Sequence, residues 1–335
     1  MKKIRIAELF CGPGGLTVGA KMASGFKHTW LVDKDSDSLK TIKKNFPNEL
    51  TINEDVKKFS QNSNLRKIKK LKGSFEGLVF GFPCNDFSIV GKKRGFKGKF
   101  GGLYIYACKV LKFFKPKFFL AENVSNIATS NKKSLIYKNF QKILHDFKKI
   151  GYEIKMKKIK FEKLGVPQTR HRLIILGYLK NSKYENFKFP QEDKKIIKCS
   201  TILNKISKIK NLENNETHNH SKNIIKRLKK IKFGQNVWDI NGLPNGKKAR
   251  MSNIYKKLNP SKPAYTVTGS GGGGTHMYHY KFPRALTNRE RASLQTFPLR
   301  YKFHGNKTSV RKQIGMAVPP LGAKAIFSNI KKCLS

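Results

Sequence analysis

An apolar strand, a glycine turn, a helix and a second apolar strand open the chain, and this order constrains the fold most strongly. Residues 3–10, KIRIAELF, predict a buried strand, and CGPGG predicts a tight turn after it. A helix over residues 16–24 and a strand over residues 28–33 follow. The second strand ends in Asp33, about 20 residues beyond the turn. This spacing suits a carboxylate that accepts hydrogen bonds from a ribose.

The turn itself argues against a dinucleotide ligand. Its glycines are Gly12, Gly14 and Gly15, and Thr17 stands where a dinucleotide-binding turn has its third glycine. Pro13 also removes one of the backbone N–H groups that could hold a pyrophosphate. The pattern therefore favours a nucleoside cofactor without a diphosphate. The alternative is an ordinary tight turn in an α/β domain.

Strands and helices continue to alternate up to about residue 180. Further strands are predicted at residues 50–56, 73–81, 115–124, 152–161 and 170–179, and helices at residues 103–114 and 135–150. This alternation predicts an α/β fold with a mostly parallel sheet covered on both faces. Ligands bind at the carboxyl ends of such strands. The sequence places five polar or turn residues there: Gly12, Asp33, Asp55, Cys84 and Glu122.

Cys84 lies in the stretch GFPCNDFS, directly after a predicted strand. A lone cysteine usually behaves as a small buried hydrophobe. A cysteine in a Gly/Pro turn at a sheet edge can instead present its thiol to a ligand. Its place among other strand-end polar residues favours a nucleophile.

The chain is strongly basic. Its 335 residues include 71 Lys and Arg against 20 Asp and Glu, which gives a formal net charge of +51. Such an excess indicates a polyanionic partner, nucleic acid above all. Lys-rich codon usage accounts for part of it. A membrane surface is the weaker alternative, because no segment reads as a basic amphipathic anchor.

The five cysteines are scattered and show no C-x-x-C spacing, which argues against a disulfide framework and a zinc site. The loops that contain His218, His220, His276 and His279 also lack a convincing metal-ligand set. No apolar run approaches the length that spans a membrane. We therefore expect a soluble cytosolic protein without a metal.

The composition changes after about residue 180. Residues 181–300 are rich in Lys, Asn, Gly and Ser and contain few long apolar runs. The glycine run 271–274 fits a flexible linker. It also fits a backbone that lies close against a partner.

Taken together, these stretches resemble the DNA (cytosine-5) methyltransferases. Six motifs of that family occur in the family's order over nearly the whole chain. They are ELFCGPGGLTVG, GFPCNDFS, ENV, GVPQTRHRLIILG, RALTNRERASLQTFP and KQIGMAVPPLGAKAI. Each motif alone is weak evidence for the family, but six motifs in the family's order are very specific to it.

The resemblance implies a Rossmann-like S-adenosylmethionine-dependent methyltransferase fold in residues 1–180, completed by residues 304–335. It implies a smaller, loop-rich target-recognition domain in residues 181–303. The implied reaction moves a methyl group to C5 of a cytosine flipped out of double-stranded DNA, leaves S-adenosylhomocysteine and needs no metal. A small stand-alone enzyme of this family suggests a bacterial modification enzyme, expected to be a cytoplasmic, nucleoid-associated monomer. Whether a restriction endonuclease accompanies it as a functional, not physical, partner stays open.

The resemblance also assigns residues. Cys84 is the nucleophile that adds to C6, and Glu122 lies at N3 of the base. Arg170 holds O2 of the base and fixes the Glu122 carboxyl, while Arg172 is an outer or phosphate contact. The implied cofactor residues are Phe10, Gly12, Pro13, Gly14, Gly15, Asp33, Lys34, Asp55, Val56, Pro83, Leu103 and Val318. The candidate DNA contacts are Ser88, Lys92, Arg94, Arg250, Ser270, Gly272, Gly273, Thr275 and His276.

Several positions depart from the family pattern. Asn85 and Asp86 replace Gln and a Pro or small residue, Ser293 replaces the Arg of Arg-Leu-Gln, and Met316 replaces the Asn of Gly-Asn-Ala-Val. Asp33 stands for the usual Glu, and Lys34 for an aromatic that stacks on adenine. These changes leave the reacting groups in place and concern the cofactor packing and the contacts of the Met316 segment.

Three alternatives remain open. The first is an RNA cytosine methyltransferase of the tRNA-acting branch, whose usual Cys-Phe-Thr element is absent here. The second is a non-catalytic DNA-binding protein, against which the intact Cys84, Glu122 and Arg170 argue. The third is a nicotinamide oxidoreductase, which the missing third glycine disfavours.

Overall fold

The computed structural model describes residues 3–82, 102–129, 131, 133–192, 196–240, 254–269 and 275–334. Several predicted site residues lie outside the described residues. They are Cys84, Pro83, Ser88, Lys92, Arg94, Arg250, Ser270, Gly272 and Gly273.

The described residues form nine strands and twelve α-helices. The strands are β1 (Ile4–Leu9), β2 (Phe26–Asp33), β3 (Thr51–Asn53), β4 (Gly77–Gly81), β5 (Phe118–Val124), β6 (Tyr152–Lys160), β7 (Gln168–Thr169), β8 (His171–Leu179) and β9 (Ala264–Tyr265). The helices are α1 (Gly15–Ala23), α2 (Ser36–Asn45), α3 (Val56–Phe59), α4 (Asn62–Lys72), α5 (Tyr104–Phe114), α6 (Asn126–Thr129), α7 (Leu135–Lys149), α8 (Cys199–Ser207), α9 (Lys222–Lys230), α10 (Asn288–Leu294), α11 (Lys307–Met316) and α12 (Pro320–Lys332).

The predicted mostly parallel sheet is confirmed. Within the described ranges, seven strands pair in the order β3-β2-β1-β4-β5-β8-β6. The first five strands run parallel to one another, and β8 runs antiparallel to both β5 and β6. The parallel strands read as apolar runs because helices cover both faces of the sheet.

The chain forms two compact units. Unit 1 comprises Met1–Lys160, His171–Glu192 and Pro320–Ser335, and unit 2 comprises Phe161–Arg170 and Asp193–Pro319. These bounds differ from the predicted domains, since residues 161–170 and 304–319 belong to unit 2 and residues 181–192 to unit 1.

Unit 1 is built around the sheet. Trp30 of β2 is fully buried, and its ring centroid lies 5.1 Å from that of Phe59, 5.3 Å from that of Phe75 and 6.3 Å from that of Phe114. The C-terminal helix α12 packs on α1. A Cβ at Gly19 would lie 2.3 Å from the Ala323 Cβ, so this close approach of the two helices requires glycine.

Unit 2 has its own small core and a short parallel pair, β7 with β9. Helix α10 begins with a capping box. The Thr287 side chain accepts a hydrogen bond from Glu290 N, and the Glu290 carboxylate accepts one from Thr287 N. Among the residues described, no helix combines the length and apolar character needed to cross a membrane.

Candidate functional site

The β1–α1 turn has the backbone that its glycines predict. Gly12 and Gly14 have φ of 51° and 81°, and Phe10 also has a positive φ, of 53°. Gly14 N donates to the Cys11 carbonyl at 3.0 Å and closes the turn. A Cβ built at Gly12 would meet nothing within 4 Å. The turn therefore leaves room above Gly12 for a ligand, while Pro13 and Gly15 are buried beneath.

Asp33 is fixed against this turn at the end of β2. Its Oδ2 accepts from Gly12 N at 2.8 Å, and its Oδ1 accepts from Asp35 N at 2.9 Å. Burial raises the pKa of this carboxyl, and the backbone hydrogen bonds from Asp35 and Gly12 oppose that rise. Each carboxylate oxygen can accept a further hydrogen bond. The carboxylate is thus positioned to receive a ligand's hydroxyl groups.

The other predicted cofactor residues differ in exposure. Asp55 is exposed, and its carboxylate caps α3 by accepting from Lys57 N at 2.8 Å. Val56 is buried, Leu103 is half-buried before α5, and Lys34 is exposed. Asp55 is therefore partly committed to helix capping.

A buried polar group beneath the turn was missed in the sequence. Glu8 of β1 is 1% exposed, and its Oε2 accepts from Thr17 Oγ1 of α1 at 2.8 Å. His28 Nε2 of β2 lies 3.4 Å from the same oxygen. These contacts link the three elements that frame the turn. A carboxylate within the apolar run KIRIAELF was the available signal, because a buried charge needs partners.

Glu122 lies at the carboxyl end of β5, beside Gly81, which ends β4. A Cβ at Gly81 would lie 3.3 Å from Glu122 Oε2, so glycine keeps space near the carboxylate. Arg172 of β8 sits opposite Val124, which places its side chain on the same face of the sheet as Glu122. Arg172 Nε lies 3.0 Å from Glu122 Oε1, and the two side chains are 15% and 13% exposed. The pair is therefore largely desolvated.

The structure gives the two arginines different partners, while their roles at the base stay predictions. The ion pair with the Glu122 carboxylate belongs to Arg172, which was expected only as an outer or phosphate contact. Arg170 is 2% exposed within unit 2, and its guanidinium donates to three backbone carbonyls. The acceptors are Val267 at 3.1 Å, Gly315 at 3.3 Å and Ala317 at 3.0 Å. Arg170 thus ties together the backbone of unit 2.

The last two family motifs in the sequence pack closely around the backbone that Arg170 contacts. A Cβ at Gly315 would lie 1.9 Å from Gly269 N, so the two segments meet only because residue 315 is glycine. Gln295 is fully buried, and its Nε2 donates to the Ile314 carbonyl at 2.6 Å. Gln168 Nε2 donates in turn to Gln295 Oε1 at 2.7 Å. Val318 is buried in unit 2.

His276, a predicted DNA contact, is buried among other histidines. Its side chain is 5% exposed, and its ring centroid lies 4.9 Å from that of His218 and 6.1 Å from that of His220. Burial, and then the nearby Arg291 and Arg311, lower the pKa of His276 to about 3. The neighbouring Thr275 is half-buried. In the part of the chain that the structure describes, no group of three or more His, Cys, Asp or Glu is arranged to hold a metal.

Residues 4–332 match the family model described as C-5 cytosine-specific DNA methylase. Type II methyltransferase M.BbvI of Brevibacillus brevis is 42% identical over 98% of this chain and 91% of its own length. Type II methyltransferase M.NgoFVII of Neisseria gonorrhoeae is 34% identical over 98% and 86%.

Solved structures share the fold. A methyltransferase encoded within an E. coli prophage superposes with a TM-score of 0.72 at 24% identity, over 99% of both chains. DNMT2 of Spodoptera frugiperda gives a TM-score of 0.67 at 14% identity, over 99% of this chain and 100% of its own.

Proposed function

The chain belongs to the C-5 cytosine-specific DNA methylases, and we propose that it methylates C5 of a flipped-out cytosine in a short DNA sequence, with S-adenosylmethionine as donor. As a DNA (cytosine-5)-methyltransferase of the restriction–modification type, it acts on DNA. The finer steps below rest on the geometry of its own residues. The observation that carries them is the desolvated Glu122–Arg172 pair at the carboxyl ends of the strands.

The β1–α1 turn fits the donor. The open space above Gly12 and the fixed Asp33 carboxylate suit a nucleoside whose ribose hydroxyls donate to that carboxylate. Phe10 and Pro13 would hold the methionine part, and Val56 would hold the adenine. When bound, S-adenosylmethionine supplies the methyl group that C5 takes up.

Cys84 is the nucleophile of the proposal. It follows Gly81, the last residue of β4, by three positions in the sequence. Its thiolate forms a bond to C6, and the C5–C6 electron pair makes C5 nucleophilic enough to take the methyl group. C5 then loses its proton to a base or water, and the freed electron pair restores the C5–C6 double bond as the thiolate leaves. Cysteine suits both steps because its thiolate is a good nucleophile and a good leaving group.

Glu122 stabilises the charge that this addition creates. Attack at C6 moves electron density toward N3, where a carboxyl group can donate a proton or a hydrogen bond. Arg172 holds the carboxyl in place through its 3.0 Å contact and so limits its motion during the reaction. Arg170 acts indirectly, by holding the backbone of residues 315 and 317.

Residues 181–303 select the sequence in this proposal, and the base leaves the duplex to reach Cys84. Lys and Arg side chains supply phosphate contacts, and loop residues read base edges. Thr275 and the candidate contacts outside the described residues stay predictions.

The test is methyl transfer from labelled S-adenosylmethionine to duplex DNA, followed by nucleoside analysis and bisulfite sequencing. We expect the label in 5-methylcytosine at one short sequence. Label in RNA and not in DNA, or in an adenine, would overturn the proposal. A parallel reaction with tRNA separates the RNA alternative.

A further inference from the structure

Helix α9 of unit 2 carries a continuous cationic face that none of these steps uses. Four lysines of the helix are exposed, and the sequence from Thr217 to Trp238 contains no Asp or Glu. The exposed lysines are Lys222, Lys226, Lys229 and Lys230.

The four side chains lie on one side of the helix. At 3.6 residues per turn, they fall within an arc of about 100°. Leu228 points away from that arc and is fully buried in the core of unit 2 with Ile231 and Val237. Arg227 stacks over the Tyr255 ring at 5.0 Å. These contacts fix the rotation of α9, so the lysine face is held toward solvent.

This arrangement costs the folded protein stability. Lys222 and Lys226, and Lys226 and Lys230, are like-charge pairs four residues apart, which destabilise a helix. Lys222 also lies at the positive end of the helix dipole, where the first turn has no acid. In α7, by contrast, Lys142 pairs with Asp146 at 3.3 Å. Among the described residues no ion pair neutralises this face, so an anionic partner would stabilise it.

We infer that this face of α9 lies along the phosphate backbone of the DNA duplex and supplies affinity that does not depend on sequence. The inference rests on the proposed function and adds that α9 supplies affinity while other residues select the sequence. From Lys222 to Lys230 the helix rises about 12 Å. Successive phosphates of one strand are about 3.4 Å apart along the duplex axis. The face therefore matches about three phosphates of one strand.

The test removes all four charges by Lys222→Gln, Lys226→Gln, Lys229→Gln and Lys230→Gln. Gln keeps a helix propensity close to that of Lys. The control removes four exposed charges from α4 of unit 1, by Arg66→Gln, Lys67→Gln, Lys70→Gln and Lys72→Gln. Both variants lower the net charge equally. Binding to a duplex of random sequence is measured by fluorescence anisotropy at several salt concentrations, without cofactor.

For the α9 variant we expect the salt slope of log K to fall in magnitude by about 2 to 3, since each phosphate contact contributes about 0.9. Affinity should fall at least tenfold, the methylated sequence should not change, and the melting temperature should not fall. The α4 variant should keep both slope and affinity near those of the unmodified protein.

Three results would overturn the inference: equal losses in both variants, an α9 variant that binds DNA normally, or one that methylates a different sequence. Loss of binding to vesicles of phosphatidylserine and phosphatidylcholine, with DNA binding intact, would assign the face to a membrane instead. Failure of the proposed function would appear separately, as absence of methyl transfer by the unmodified enzyme.

Discussion

Replacing Arg172 by Gln should slow methyl transfer more than it weakens the fold. Its Nε lies 3.0 Å from Glu122 Oε1, and the side chains are only 15% and 13% exposed. Hydrogen bonds between charged groups contribute about 1.5–3 kcal/mol. The residual exposure argues for the lower half of that range, about 1.5–2 kcal/mol. If the loss falls on the transition state, single-turnover methylation should slow by about 10- to 30-fold.

A double-mutant cycle isolates this coupling. Glu122→Gln should be slower than Arg172→Gln, because it also removes the group that acts at N3. The double variant should be little slower than Glu122→Gln alone, which gives a coupling energy of about 1.5–2 kcal/mol. Additive effects within about 0.5 kcal/mol would refute the assigned contact.

Arg170→Gln is the matched comparison. Arg170 is 2% exposed and holds carbonyls of Val267, Gly315 and Ala317. Leaving these buried acceptors without their donor should lower the free energy of unfolding by about 3 kcal/mol or more, measured in urea. A stable Arg170→Gln variant without activity, together with an active Arg172→Gln, would reverse the two roles.

Three further outcomes follow from local geometry. Gly315→Ala should lower the free energy of unfolding by about 3 kcal/mol or more, because its Cβ would lie 1.9 Å from a backbone nitrogen. Gly102→Ala, whose Cβ would lie 3.8 Å from its nearest atom, should change it by less than about 0.5 kcal/mol. The pKa of His276, lowered to about 3, keeps it neutral when folded, so its contribution to stability is complete above pH 6.5 and is lost as pH falls toward 3. The fall in unfolding free energy from pH 7 to pH 5, measured in urea, should be about 2 kcal/mol smaller in His276→Phe than in the unmodified protein. Asp33→Asn should weaken S-adenosylmethionine binding by about 1–3 kcal/mol, and unchanged affinity by calorimetry would contradict the assigned role.

The strand ends were predictable from sequence because parallel strands buried on both faces are mostly apolar. A polar residue that stops such a run, as Asp33 and Glu122 do, marks the carboxyl edge of the sheet. The partners of the two arginines were not predictable in this way. Alternate residues of one strand share a face, but β8 begins at His171, so Arg170 leaves the sheet and joins unit 2.

The buried contacts inside unit 2 could not be predicted from the sequence either. His276 follows a glycine run in a polar stretch, which predicts exposure. Its burial comes from His218 and His220, which lie more than 50 positions earlier in the chain. Contacts between residues so distant in sequence leave no local pattern, and local propensity and hydrophobic period do not report them.

The covalent role of Cys84 is tested most directly with DNA that contains 5-fluorocytosine at the methylated position. Fluorine at C5 cannot leave as a proton does, so the thiolate cannot be expelled once the methyl group is in place. With S-adenosylmethionine present, the enzyme should form a stable protein–DNA adduct that peptide mapping assigns to Cys84, and Cys84→Ser should form none. An adduct at Cys11 or Cys108, or no adduct from an enzyme that methylates ordinary DNA, would contradict the mechanism.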